Sequence, residues 1–366
     1  MMKLKVAFNI HKIEAPYGGA NQFANVLEQY LLNQGHEVSR TLQPKLDLIL
    51  IISSQWNPTT TSFSLSVIED YLQLHPETAV IQRVNTLDEP RGVDLGINQA
   101  ICEANRLADH TVFVSNFVKE IFEKKGLGGE KPNSVILNGA DEAIFNPSGR
   151  SAWDGRERLR IVTHHWSANY LKGFDIYERL DLLLGTAPYH SLFEFCFIGN
   201  LPLGLELRQT RVIAPTWGKA LGDLLRQQHI YLTAARHEAS GQHHIEGMRC
   251  GLPVLYLNSG ALPEYCRPFG IEFTLINFEE KLFEIRSRYH ELYQAVQGCP
   301  YKGEWMSKQY EELFINVVSN KRSRPPTRTN AATRFKIHLI NRPLRRVKNA
   351  YRLLKKAFEY LQKSRT

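Results

Sequence analysis

The chain is poor in features that would assign it to several broad classes. It has five cysteines, scattered and odd in number, with no C-x-x-C pair. This excludes a disulfide scaffold and the common zinc ribbons, and we expect buried thiols in a reducing compartment. No stretch approaches the about 18 uncharged apolar residues of a membrane span; the longest aliphatic run is Leu48–Ile52. The apolar part of the basic N-terminus, Met1–Ile10, is too short for a signal peptide and reads as a first β-strand. There is no Asp-x-Asp to clamp a metal diphosphate and no short internal repeat. The adjacent pairs His164-His165 and His243-His244 lack the i, i+4 spacing of helical metal ligands.

What is present is a length of 366 residues, enough for two domains of about 150 residues. Charge is uneven. Residues 321–366 hold fifteen Lys or Arg and one acid, Glu359, so this tail carries +14 of a chain total of +8 and leaves residues 1–320 at −6.

Short β-branched runs alternate with amphipathic stretches, the pattern of parallel sheets covered by helices. Expected strands are Lys5–Ile10, one beginning at His36, Leu46–Ile52, Ala79–Val84, Thr111–Ser115 and Val135–Leu137. After the turn-rich segment 147–156 the pattern restarts with Leu159–Thr163, Phe193–Ile198, Val212–Ala214, Ile230–Ala234 and Pro253–Leu257. The fold class predicted is α/β, with two Rossmann-like domains facing across a cleft. They would span residues 1–150 and 151–320, the last helix crossing back onto the first domain, with a basic amphipathic helix in the tail.

The most informative segment runs from Arg236 to Val254. Glu238 and Glu246 are separated by seven residues, with Gly241 between them and Gly251-Leu252-Pro253-Val254 after them. Read as strand, glycine loop, helix from about Gln242 and strand again, it directs free N–H groups at a helix start toward the carboxyl end of a parallel sheet. That geometry suits a diphosphate, with two carboxylates placed to accept hydroxyls of a ribose and of a sugar ring.

This segment, with Gly260-Ala261-Leu262-Pro263-Glu264, resembles the donor-site signature of the retaining GT-B glycosyltransferases, particularly glycosyltransferase family 4. Further resemblance lies in Gly18-Gly19 followed by a helix and Gly35-His36-Glu37-Val38, and in Val135–Asp141 with Phe145-Asn146-Pro147, so that it covers nearly all of residues 3–320. It implies sugar transfer from a nucleotide-sugar donor to a glycan or lipid-linked acceptor, with retention and without a metal or other cofactor, in surface polysaccharide or glycolipid synthesis. It further implies Glu246 on the ribose, Glu238 on the donor sugar, and Lys172 of Lys172-Gly173 neutralising the diphosphate. Gly18, Gly19, Gly241, Gln242, His243 and His165 are then candidate donor contacts, and Arg83, Asn85 and Asp88 candidate acceptor or cleft residues. Two departures stand out: Ser167 occupies the position of the family's usual arginine, five residues before Lys172, and no histidine follows Ala79–Val84.

Rival readings are a nucleotide-sugar epimerase and a non-catalytic, membrane-associated sugar-nucleotide or glycan-binding protein. The protein is expected in the cytoplasm, peripheral on the inner face of the membrane if its tail docks there. Leu344, Val347, Tyr351, Leu354, Phe358 and Leu361 recur at spacings of three and four among basic residues. Residues 342–363 thus have three readings: an anionic membrane surface, packing on the body or another subunit, and, least favoured, nucleic acid.

Overall fold

A computed structural model describes residues 2–13, 18–89, 92–128 and 131–321. The basic tail, including 342–363, and the Pro16-Tyr17 half of the first glycine turn lie outside the described residues.

Six parallel strands form the first sheet: β1 (Lys5–Phe8), β2 (Glu37–Ser39), β3 (Leu48–Ile51), β4 (Ala79–Val84), β5 (His110–Phe113) and β6 (Asn133–Val135), in the order β2-β1-β3-β4-β5-β6. Helices α1 (Gly18–Asn33), α2 (Leu65–Leu74), α3 (Ile97–Leu107) and α4 (Asn116–Lys124) connect them. The central strands Leu48–Ile51 and Ala79–Val84 are buried at every position, because helices cover both faces.

The second sheet holds β7 (Leu159–His165), β8 (Phe193–Gly199), β9 (Arg211–Ile213), β10 (Ile230–Thr233), β11 (Val254–Leu257) and β12 (Gly270–Phe273), in the order β12-β11-β10-β7-β8-β9, again all parallel. Its helices are α5 (Phe174–Leu184), α6 (Tyr189–Leu192), α7 (Gly218–Arg226), α8 (Gln242–Arg249), α9 (Leu262–Cys266), α10 (Phe278–Ser287) and α11 (Tyr289–Gln297). The strand order reverses between β1 and β3 in one sheet and between β7 and β10 in the other. Such switch points open crevices at the carboxyl ends of the strands.

Helix α12 (Gly303–Ser319) returns to the first sheet. Met306, Tyr310 and Phe314 enter the core formed by Phe23, Leu27 and Leu31 of α1, and the rings of Phe23 and Tyr310 stand 5.1 Å apart. Each such side chain contributes about 1.5–3 kcal/mol by burial. Its first turn is held by Glu142, which accepts from the Gly303 amide at 2.9 Å, and its middle by Glu311, which meets Tyr30 Oη and His36 Nε2 at 2.8 and 2.9 Å. The segment between the sheets is itself packed. Trp153 is buried in the second core, and Arg150 donates to the carbonyls of Gln228 and His229 at 3.0 Å.

All five cysteines are free thiols, four of them buried. Among the described residues no helix is long and apolar enough to cross a membrane, and no group of three or more His, Cys, Asp or Glu side chains is placed to hold a metal ion.

Candidate active site

The carboxyl edges of the two sheets face each other across a cleft of about 730 Å³. It is lined by Gly18, Gly19, Arg83 and Asn85 from the first domain, and by His165, Lys172, Glu238, Gly241, Gln242, His243 and Glu246 from the second. Eleven of the twelve side chains or glycines singled out in the sequence therefore meet at one place. The exception is Asp88. Its carboxylate accepts from the amides of Leu95, Ile97 and Asn98 at 2.9, 3.1 and 3.0 Å, capping the start of α3. This acid therefore neutralises a helix end.

Chain geometry explains how the second domain presents its groups. After β10 the backbone climbs to His237, which has φ +52°, a conformation costly for a non-glycine residue. The bend is braced where the Ala261 amide donates to the Glu238 carbonyl at 2.8 Å. A Cβ on Gly260 would come within 2.4 Å of the Glu238 amide nitrogen, so only glycine permits this approach. The loop then turns at Gly241 into α8, whose first-turn amides have no side-chain cap. Helix α1 also starts at the cleft, and a Cβ on Gly19 would lie 3.3 Å from Gln242 Cβ. Two helix N-termini thus converge, an arrangement favourable to an oxyanion.

Lys172 closes a one-turn 3-10 helix, Tyr170–Lys172, which Asn169 caps by accepting from the Leu171 amide at 2.9 Å. Gly173 has φ +96°, and a Cβ there would sit 2.4 Å from Ala234 Cβ and 2.6 Å from its carbonyl. The Lys-Gly pair is therefore pressed against the end of β10. Lys172 Nζ lies 2.5 Å from Glu238 Oε2, a pairing the sequence did not reveal.

Glu246 is almost wholly buried. Its Oε2 lies 2.9 Å from His164 Nε2, and Oε1 is buried without a hydrogen-bond partner. His164 Nδ1 stands 3.1 Å from the Tyr231 hydroxyl. Tyr231, His164 and Glu246 thus form a chain that orients the carboxylate, with Oε1 left unbonded. Burial raises the Glu246 pKa, and its bond to His164 opposes the rise.

The remaining histidines do not replace the cation absent at Ser167. His165 is fully buried, its Nε2 2.7 Å from the Tyr177 hydroxyl, and burial holds its pKa well below the ordinary value. His243 Nε2 stands 3.0 Å from Thr233 Oγ1, and burial likewise depresses it. His244, with neither ring nitrogen bonded, is pushed down to about 3. All three are neutral at pH 7. Ser167 lines the cleft and accepts from the Asn169 amide at 3.2 Å.

Several interdomain ties escaped sequence reasoning. Ser115 Oγ donates to the Ala239 carbonyl at 2.6 Å, Asn138 Nδ2 to Ser240 Oγ at 2.8 Å and Gln242 Nε2 to the Gly139 carbonyl at 3.0 Å. Glu264 accepts from the Asn116 amide at 2.9 Å, and the Tyr265 hydroxyl donates to the Val114 carbonyl at 2.6 Å. These pin the loop carrying Glu238 to the first domain. Only the motif position of Glu264 gave any sign of this.

Comparison with solved structures defines the fold class as GT-B, two Rossmann-like domains across a cleft. The chain is similar to HepE of Anabaena, solved with UDP-glucose, at 17% identity and a TM-score of 0.64, covering 86% of this chain and 100% of that one. It is similar to sucrose-phosphate synthase of Thermosynechococcus elongatus at 13% identity and a TM-score of 0.61, covering 87% and 100%. AviGT4, a glycosyltransferase involved in avilamycin A biosynthesis, aligns at 16% identity and a TM-score of 0.57 over 87% and 99%. No family model matches the sequence, and no curated protein matches it by sequence.

Proposed function

We propose that this protein is a glycosyltransferase that moves a sugar from a nucleotide-sugar to an acceptor. The observation carrying this reading is the buried Glu246 carboxylate in the wall of the cleft, oriented by His164 and with one oxygen unbonded, beside the uncapped start of α8. A ribose placed there would donate a hydroxyl to the Glu246 carboxylate. The diphosphate would lie against the two helix starts, and Lys172 would stabilise negative charge as the nucleoside diphosphate departs. Glu238, now paired with Lys172, would turn its free oxygen to hydroxyls of the transferred sugar. The neighbours solved with UDP-glucose or UDP support a nucleotide-sugar as donor.

The family 4 resemblance adds retention at the anomeric carbon. In that course the donor's own phosphate oxygen takes the acceptor proton, and no protein base and no metal is required. Work in surface polysaccharide or glycolipid synthesis, on the cytoplasmic side of the membrane, belongs to the same proposal. Residues 342–363 would supply contact with anionic lipid.

The test is release of nucleoside diphosphate from UDP-, GDP- and ADP-sugars incubated with the full chain and candidate lipid-linked acceptors. Transfer, with the anomeric configuration of the product read by NMR, supports the proposal. A second reading, binding without turnover, draws on the missing second cation at Ser167. It is favoured if donors bind and no acceptor receives sugar.

A further inference from the structure

Lys172 and Glu238 line the same cleft and hold each other there, Lys172 Nζ donating to Glu238 Oε2 at 2.5 Å. The lysine comes from the 3-10 turn after β7 and the glutamate from the loop after β10. The backbone at Glu238 is fixed: its carbonyl accepts from the Ala261 amide at 2.8 Å, and the Ala239 carbonyl accepts from Ser115 Oγ at 2.6 Å. The side chain is held more lightly, with Lys172 as the hydrogen-bond partner of its carboxylate among the described residues. It lies against Gly241, the residue before α8, where a Cβ would stand 3.0 Å from Glu238 Cγ. The Lys172 side chain keeps 25% of its surface open, so a ligand in the cleft can reach it.

The carboxylate of Glu238 therefore already takes the ammonium that faces the start of α8. A diphosphate arriving at Lys172 would set a second anion on the same ammonium. Like charges that close repel, and in a half-buried site they are screened less than in water. Ligand and Glu238 thus compete for Lys172. The carboxylate can give way by turning its side chain while the loop stays tied. What it meets next depends on the ligand: a nucleotide-sugar brings hydroxyls that a carboxylate accepts in charge-assisted bonds, whereas a nucleoside diphosphate without its sugar brings none to this position.

We propose that Glu238 is a specificity-determining residue, a rival anion that withholds Lys172 from a bare nucleoside diphosphate and yields it to a donor whose sugar hydroxyls engage the carboxylate. The inference rests on the transferase reading above. Once the sugar has left, the pair re-forms and favours release of the product. A residue that only contacts the ligand behaves with the opposite sign, since its removal weakens the nucleoside diphosphate or leaves it unchanged.

UDP, GDP and ADP are the probes, titrated into the full chain and into Glu238→Gln, Lys172→Met and the double variant, with thermal melts to establish folding. Glu238→Gln frees the ammonium and should bind the selected nucleoside diphosphate about three- to tenfold more tightly than the wild type. In the Lys172→Met background the same change should gain less, because no pair is left to break. Should Glu238→Gln not fold, Glu238→Ala also frees Lys172 and carries the same expectation. Affinity unchanged or weakened in the folded Glu238 variants overturns the inference and leaves the donor site standing. A gain equally large without Lys172 overturns it too, as repulsion that involves no exchange. Folded wild type and folded Glu238 variants that bind none of the three nucleotides overturn both the inference and the donor site.

Discussion

Replacing Glu246 by glutamine separates a ligand-binding carboxylate from a structural one. In the folded chain the carboxylate is 2% exposed, has one bond to His164 and leaves Oε1 unsatisfied. A buried charge so incompletely bonded is a burden on the empty protein. The amide removes that charge and can still bond to His164 through its NH₂ group after a tautomer change. The melting temperature should therefore hold or rise. Ligand binding should move the other way. A charged acceptor facing ribose hydroxyls contributes about 1.5–3 kcal/mol, and each 1.4 kcal/mol is about tenfold in affinity. The account thus predicts nucleoside diphosphate binding roughly 10- to 150-fold weaker. Calorimetric titration with parallel thermal melts reads both quantities. Affinity within about twofold of the wild type, or a loss of stability accompanying the loss of affinity, would refute the reasoning, because either makes Glu246 a structural residue.

Three further outcomes follow from the same geometry. Lys172→Met should lower the transfer rate by about 10²–10³ while changing donor affinity far less, since charge on the departing diphosphate grows in the transition state; equal losses in both would show that the lysine only binds. Gly173→Ala should lose more than about 2 kcal/mol in denaturant melts, because the added methyl meets Ala234 and the backbone requires φ +96°; a neutral result would contradict the close approach. Acid should destabilise the second domain. His165, His243, His244 and His229 have folded pKa values below their unfolded ones, with His244 and His229 at about 3. The unfolded chain therefore binds more protons once the pH falls below about 6.5, and each such histidine removes up to about 1.4 kcal/mol per pH unit. Glu246, with its raised pKa, acts with the opposite sign. Melts between pH 7 and 4 should show the fall, and His244→Phe should make it shallower.

Much of this architecture was legible in the chain because buried parallel strands announce themselves. Ala79–Val84 was delimited as observed, and Leu48–Ile51 lies inside the expected run. Strand β12, Gly270-Ile271-Glu272-Phe273, was missed: it has four residues, two of them Gly270 and Glu272, and so offers no apolar run like the other buried strands. The glycines around Glu238 and Lys172 were legible since close backbone approach admits no other residue. Pairings between distant segments were not. Nothing in the local sequence joins Lys172 to Glu238, His164 to Glu246 or Ser115 to Ala239, because the first two depend on β7 and β10 lying side by side in the second sheet and the third on how the two domains meet. Asp88 shows the converse limit: an acid near a cleft-lining strand can be consumed by the nearest helix end.

The central claim is that the cleft holds a nucleoside diphosphate on Glu246. Its most direct test is calorimetric titration of UDP, GDP and ADP into the full chain and into Glu246→Ala. The account predicts that one nucleotide binds selectively and that the variant weakens it. A folded wild-type chain that binds none of the three would contradict it.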